Sequence, residues 1–218
     1  MTEAIERIFI SKDWITIVLM IVFTLLILNK VKFSERFYKL QYILLNNSYI
    51  NSYVKASPLI FNVFNVILFV IAILTISFIL FIALNLYYPS HISYDFFLFL
   101  KTLFFVGVFT VFRIVIGVLL GSLFEKEREQ RYFTFLKISY LGNFSLMTIP
   151  LISINLYTES TVYTHFLLVF SLVLFLYYYM LILKNNQSVI FRNSFYFILY
   201  ICTLEIAPIL IIFKALIV

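Results

Sequence analysis

The sequence is poor in the residues that build most metal and redox sites. One cysteine, Cys202, and two histidines, His91 and His165, occur among 218 residues, and only 12% of the chain is charged. A single cysteine forms neither a disulfide nor a thiolate metal cluster within its own chain. The cysteine content therefore carries no signal for a redox or metal function.

Catalytic and cofactor motifs are also missing from the sequence. There is no HExxH helix, no glycine-rich phosphate loop and no GxSxG nucleophile elbow. His91, Asp95 and Glu159 fall in two predicted loops, and a groove joining them would indicate an enzyme acting on lipid, but by themselves they specify no reaction. We therefore expect a non-enzymatic protein with no cofactor and no metal.

Apolar residues are what the chain has in excess, at 64% of the sequence. A soluble domain of this length cannot enclose so much apolar surface in one core, and the runs are continuous rather than alternating with period two. We predict an all-α, polytopic membrane protein, a single transmembrane helical domain over residues 1–218. Its about six transmembrane helices are predicted at 14–28, 58–86, 96–123, 133–156, 163–183 and 194–218.

Lysine and arginine are distributed unevenly among the predicted loops. Successive loops carry five, none, three, none and two of them. Because basic residues are enriched in cytoplasmic loops, the first, third and fifth loops are predicted to be cytoplasmic and both termini periplasmic. This is the topology of a multi-pass bacterial inner-membrane protein. It explains the net charge of +6 without a nucleic-acid partner, and the expected partners are membrane lipids and other membrane subunits.

The first long loop contains an amphipathic pattern at about 32–46. Phe33, Phe37, Leu40 and Leu44 recur at helical spacing, with basic residues between them. We predict a cytoplasmic interfacial helix whose basic side meets anionic headgroups. It serves either as a connector lying on the inner leaflet or as a docking site for a partner.

Two ionisable residues, Arg113 and Glu205, lie deep within predicted transmembrane segments. A central charge costs roughly 2.5–3.5 kcal/mol even on a lenient insertion scale. Their depths agree within about two helical turns, so we predict an ion pair between the third and sixth helices. The pair either fixes helix packing or belongs to a proton or ion path. Pro208 cannot donate to the carbonyl of Leu204, which predicts a kink beside the carboxylate.

Proline and glycine mark two further predicted features. Pro150, in the same run as Gly142 and Asn143, predicts an irregular or kinked fourth helix in contact with other helices. Gly117 and Gly121 form a small-xxx-small pair, which predicts helix packing on the third helix.

The stretch Cys202-Thr203-Leu204-Glu205-Ile206-Ala207-Pro208 carries a family resemblance. With the helical layout before it, this stretch resembles an uncharacterised inner-membrane family of Bacteroidota known as a domain of unknown function. The resemblance covers most of the chain, and Cys-Thr-Leu-Glu-x-x-Pro is its most specific part. A more remote resemblance to five- or six-helix Yip1-type membrane proteins rests on architecture alone. Both imply a membrane location and no activity.

These features favour a non-enzymatic subunit or scaffold of a bacterial envelope or membrane complex. The alternative is a small transporter or channel that uses Arg113, Glu205 and the kink at Pro208, although the chain shows no evident internal repeat. A wet cavity reaching Glu205 would favour that alternative. A lipid-acting membrane enzyme is the third hypothesis.

Overall fold

All regular secondary structure in the described part of the chain is helical. The computed structural model describes residues 13–44, 48–53, 62–87, 95–158 and 160–185. Its helices are α1 (Asp13–Lys32), α2 (Ser34–Gln41), α3 (Ser48–Tyr53), α4 (Val63–Tyr87), α5 (Phe96–Leu123), α6 (Glu127–Thr158) and α7 (Thr161–Asn185). Five of them, α1, α4, α5, α6 and α7, are long and apolar enough to cross a membrane. The all-α prediction is confirmed here, while the predicted helix at 194–218 lies outside the described residues.

The five long helices run in alternating directions. Their ends therefore lie at two levels, one at each end of the bundle. At one level the Trp14 ring contacts Phe81, Phe96 and Phe99, with centroids 5.6, 5.5 and 5.2 Å away. At the other level, Asn29 Nδ2 donates to the carbonyl of Phe64 at 3.4 Å. We call the first level the Trp14 end. The second is the basic end, because it carries Lys30, Lys32, Arg36, Lys39, Lys126, Arg128, Arg131 and Lys184.

Helix α6 lies at the centre of the bundle and is the most buried of the five long helices. Its Gly142 lies directly against α4, where an added Cβ would be 3.0 Å from a methyl carbon of Leu68. A larger residue at this position would require the Leu68 side chain to move by a few tenths of an ångström. Gly142 thus marks a close contact between α4 and α6.

The turn between α5 and α6 is short and left-handed at one residue. Glu125 has φ 56°, and the amide of Lys126 donates back to the carbonyl of Gly121 at 2.7 Å. This six-to-one hydrogen bond closes α5 in the manner of a Schellman motif. α6 then begins at Glu127, six residues before its predicted start. Glu127 and Glu129 favour this start, since acidic residues stabilise the first turn of a helix.

The α5–α6 hairpin projects beyond the other helices at the basic end. α6 has 32 residues and is about 48 Å long, whereas α1 has 20 and is about 30 Å long, the thickness of a bilayer core. Because Gly142 is level with Leu68 and α4 begins at Val63, the start of α4 is level with about residue 137 of α6. Residues 127–136 therefore extend about 15 Å past the start of α4.

Helices α2 and α3 pack against this projecting part of α6. Phe37 and Leu40 of α2 are buried in one core cluster with Phe135 of α6, and the ring of Tyr49 in α3 stacks on Phe135 at 5.9 Å. Burial raises the pKa of Tyr49 to about 12. The predicted interfacial segment 32–46 thus contains a shorter helix, α2, whose apolar side is covered by the protein.

The basic side of α2 is also engaged by the chain itself. The guanidinium of Arg36 lies over the ring of Tyr53 at 4.2 Å, and Lys39 pairs with Glu35 at 2.7 Å. Phe33 and Leu44, at the two ends of the segment, are partly buried against the same core cluster. Contact of this segment with headgroups or a partner stays a prediction.

Candidate functional site

A cavity of about 80 Å³ lies between α4, α5, α6 and α7 towards the basic end of the bundle. It is lined by Phe69, Thr110, Arg113, Ile114, Gln130, Thr134, Lys137, Ile138, Tyr140, Leu141, Phe175, Tyr178, Tyr179 and Ile182. Two of these residues are cationic. Among the described residues, none of the lining side chains is an aspartate or glutamate.

Helix α6 supplies one continuous wall of the cavity. Gln130, Thr134, Lys137 and Leu141 lie three or four residues apart, so they share one helical face. Along this face the side chains change from polar, in the projecting part of the hairpin, to apolar at Leu141. The wall is therefore polar near the basic end and apolar towards the middle of the bundle.

Arg113 enters the cavity from α5 and reaches α7. Its Nη2 donates to the hydroxyl of Tyr179 at 3.0 Å, and the side chain is half-buried. Lys137, also half-buried, enters the cavity from α6. Three helices thus hold two positive charges and a phenol around one space inside the bundle.

The threonine hydroxyls of the wall are committed to their own helices. Thr110 Oγ1 donates to the carbonyl of Val106 at 2.8 Å, and Thr134 Oγ1 donates to the carbonyl of Gln130 at 2.9 Å. Such back-bonding leaves these oxygens as acceptors rather than donors towards the cavity. Positive charge in the cavity therefore comes from Arg113 and Lys137.

Next to the cavity, one buried amide joins three helices. Asn143 is fully buried in α6; its Nδ2 donates to the carbonyl of Leu40 at 2.7 Å and to that of Gln41 at 3.3 Å. The hydroxyl of Tyr178, a lining residue on α7, donates to Asn143 Oδ1. These hydrogen bonds hold the end of α2 and the part of α7 that lines the cavity against α6.

The predicted site residues are distributed unevenly over the structure. Arg113 lines the cavity, whereas its predicted partner Glu205 and the predicted kink at Pro208 lie outside the described residues, so the ion pair stays a prediction. Of the residues proposed for a lipid-acting groove, Asp95 caps α5 by accepting from the amide of Phe97 at 3.0 Å. His91 and Glu159 lie outside the described residues.

The other predicted packing and kink residues, Gly117, Gly121 and Pro150, are in long helices. Gly121 lies against the start of α6, where an added Cβ would be 3.0 Å from the Cβ of Gln130. Gly117 is buried. Pro150 lies inside α6, which continues through it as one helix. The structure thus places Gly121 at the α5–α6 contact.

Two cavity residues, Lys137 and Tyr179, were not recognised from the sequence as parts of a site. Lys137 lies near the start of the predicted segment 133–156 and Tyr179 near the end of the predicted segment 163–183, positions typical of residues at the membrane interface. The spacing of Gln130, Thr134 and Lys137, four and then three residues, was the available signal, because it puts polar residues on one side of an otherwise apolar helix.

Comparison with known proteins gives one match. A family model described as a domain of unknown function, DUF4271, matches residues 15–216. No curated protein and no solved structure matches the chain. The Bacteroidota origin, the Cys-Thr-Leu-Glu-x-x-Pro stretch as a family mark and the Yip1-type resemblance stay predictions.

Proposed function

Because the chain belongs to the family of the domain of unknown function DUF4271, whose name assigns no activity, we propose its function from the geometry. We propose that it is a non-enzymatic subunit or scaffold of a complex in the inner membrane of a bacterium. Its α5 helix supplies the contact with a transmembrane helix of another subunit. The observation that supports this most directly is a notch on α5 at Gly107.

Gly107 lies in the middle of a helix, where glycine is less favourable than alanine by about 1 kcal/mol. No described atom lies within 4 Å of the position that a Cβ would occupy, so packing between the described helices does not require glycine. The neighbouring Phe104 and Val111, on the same side of α5, are 73% and 51% exposed. A glycine notch between exposed apolar residues allows the close approach of another helix.

The polar interior of the bundle supports a packing role over a transport role. Buried Ser139 and Thr148 of α6 donate to carbonyls one turn earlier, at 2.8 and 2.9 Å. Asn155 donates to Thr164 Oγ1 of α7 at 2.8 Å. The Asn155 bond joins α6 to α7, and hydrogen bonds between helices stabilise a fixed arrangement of them.

The charge distribution supports the orientation that we propose. Loops that carry lysine and arginine lie together at the basic end, which we therefore assign to the cytoplasm. In this orientation the charged start of α6, from Glu127 to Arg131, projects into the cytoplasm as a second surface for the same complex.

The test is extraction of the tagged protein from native membranes in a mild detergent, followed by sizing and quantitative mass spectrometry. Gly107→Leu fills the notch, and Val169→Leu, at an exposed position on α7, is the matched control. We expect a defined membrane protein to co-purify in a fixed ratio with the wild type and the control. Gly107→Leu should lower its recovery by about tenfold or more, as a loss of about 1.4 kcal/mol would.

Thermal unfolding of the isolated variant separates this proposal from internal packing. With a partner in the notch, isolated Gly107→Leu should be as stable as the wild type or more so, because leucine is the better helix former. If the isolated variant unfolds at a lower temperature, the notch is filled by the chain itself and the proposal is wrong. Purification of the wild type alone, without companions, also contradicts it.

A further inference from the structure

We infer that α2 and the end of α1 form a binding site for the phosphate group of an anionic membrane lipid. The site consists of three aromatic rings and the cations that lie over them, at the basic end of the bundle. It shares no residue with the α5 notch or with the cavity, so this inference and the proposed function stand or fall separately.

The aromatic part of the site brings together Phe33, Tyr53 and Phe64, which we call the ring platform. The rings of Phe33 and Phe64 are 5.6 Å apart between centroids. Tyr49 connects the other two, with its ring 6.4 Å from that of Phe64 and 5.2 Å from that of Tyr53. Because Tyr49 and Phe64 are fully buried, the platform has a fixed position on the bundle.

Arg36 is the central cation of the site. Its guanidinium carbon lies 4.2 Å from the centroid of the Tyr53 ring and 5.4 Å from that of Phe64. Its Nε is buried and has no hydrogen-bond partner among the described residues, and no ion pair joins it to a carboxylate in that part of the chain. An aromatic ring attracts a cation through its quadrupole and does not neutralise it. The positive charge of Arg36 is therefore available to an anion.

Two lysines flank Arg36 on the same platform. Lys32 Nζ lies 5.7 Å from the centroid of the Phe33 ring. Lys39, one turn of α2 after Arg36, forms an ion pair with Glu35 at 2.7 Å. Three cations and one carboxylate thus lie within eight residues. Such an excess of positive charge on one surface attracts anions.

The types of cation favour phosphate as the ligand group. Arginine presents a planar set of N–H donors that suits phosphate oxygens, and lysine adds a point charge. The rings hold the guanidinium of Arg36 in place before the ligand arrives, so less side-chain entropy is lost on binding.

Position in the bundle favours a lipid as the source of the phosphate. Lys32 is the last residue of α1, and the 20 residues of α1 span about 30 Å, the thickness of a bilayer core. Asn29 donates to the carbonyl of Phe64, so the ring platform is close to the level at which α1 ends. Headgroup phosphates lie immediately outside the core, and clusters of basic residues next to a transmembrane helix attract anionic lipids.

Native mass spectrometry of the full chain, delipidated in detergent, tests the inference. The probes are phosphatidylglycerol, diacylglycerol, which has no phosphate, and inorganic phosphate, each titrated separately. The variants are Arg36→Gln and the charge-retaining Arg36→Lys, with Lys30→Gln as the matched control. Lys30 is an exposed cation at the same end of α1, and residues two apart in a helix, such as Lys30 and Lys32, do not face each other.

We expect one phosphatidylglycerol to bind the wild type and the Lys30→Gln variant, and diacylglycerol to bind neither. Arg36→Gln should weaken the binding of phosphatidylglycerol by about tenfold or more, the usual scale for one charge-assisted hydrogen bond. Arg36→Lys should weaken it by less, because the charge is kept while the planar set of donors is lost.

Thermal unfolding with and without phosphatidylglycerol separates binding from packing on the rings. A ligand that binds the folded protein raises its unfolding temperature. We expect this rise in the wild type and in Lys30→Gln, and its loss in Arg36→Gln. If Arg36→Gln unfolds at a lower temperature but keeps the full rise with lipid, Arg36 only packs on the rings and the inference is wrong.

Other outcomes divide the possible sources. Tight binding of inorganic phosphate with the same dependence on Arg36 supports the phosphate site and overturns the lipid as its source. Equal binding of phosphatidylglycerol by all variants, or an equal loss in the Lys30→Gln control, shows only general attraction to the membrane surface and overturns the site.

Discussion

At the scale of single residues, buried polar side chains determine how the helices are joined. Asn143 uses both ends of its amide, donating to Leu40 and Gln41 of the segment after α1 and accepting from Tyr178 of α7. A buried group left without such partners costs more than the hydrogen bond itself contributes. The sequence indicated that Asn143 contacts other helices, but its partners are 35 and more than 100 residues away and have no local signal.

Replacing Asn143 with leucine should destabilise the bundle by about 2–4 kcal/mol, because the Tyr178 hydroxyl and the Leu40 carbonyl lose their partner in the core. The measurement is unfolding by dodecyl sulfate in mixed micelles. Thr24→Val, which removes an exposed back-bonded hydroxyl of α1, is the control and should change stability by less than about 0.5 kcal/mol. Additive effects of Asn143→Leu and Tyr178→Phe would contradict the contact between them.

Tyr49 should stabilise the basic end through its ring rather than its hydroxyl. Tyr49→Phe keeps the stack on Phe135 and should stay within about 1 kcal/mol of the wild type, whereas Tyr49→Ala should cost about 3–5 kcal/mol. The same unfolding titration measures both variants. Equal losses in the two variants would show that the ring contact does not matter.

Tyr49 also predicts a pH dependence. Its pKa in the folded state is raised from 10.0 to about 12. The contribution of the buried, neutral phenol to the free energy of unfolding is therefore complete below about pH 10 and is lost as the pH rises towards 12. The stability of the wild type relative to Tyr49→Phe should therefore fall over this window. A difference that stays constant from pH 8 to 12 would contradict the burial of this phenol.

At the scale of elements, hydropathy predicted some helices well and misjudged others. The prediction for α5, 96–123, agrees with the structure, because an apolar run, the Asp95 cap and a charged turn coincide at its ends. α6 begins at Glu127, six residues before its predicted start. The charge of its first turns indicated helix emerging into water as a continuation of α5, but they belong to α6, and Gln130 packs against Gly121. The left-handed turn at Glu125 that separates the two helices has no signal in composition.

The left-handed turn at Glu125 offers an element-scale test. Glu125→Gly should stabilise the protein by about 0.5–1 kcal/mol, because a residue with a Cβ is strained at φ 56° and glycine is not. Lys126→Gly, one residue later, is the matched control and should give no gain. Thermal unfolding measures both. A loss of stability in Glu125→Gly would show that the α5–α6 turn has a different conformation.

At the scale of the whole molecule, the described helices form one bundle with two different ends. The Trp14 end is closed by aromatic packing, and the basic end carries α2, α3 and the projecting α5–α6 hairpin. The sequence predicted the membrane class, and the orientation of the basic loops stays a prediction. It did not predict the cavity, since that requires knowing how α5, α6 and α7 pack around Arg113 and Lys137.

The proposed function places the bundle across the membrane with its basic end in the cytoplasm. Replacing Cys202 with serine leaves no other cysteine in the chain. Single cysteines at Glu125, in the projecting turn, and at Ser160, at the Trp14 end, can then be labelled in intact spheroplasts with a membrane-impermeant maleimide. We predict labelling at 160 in intact spheroplasts and labelling at 125 only after lysis. Labelling at 125 in intact spheroplasts, or equal labelling at both positions, would contradict the account.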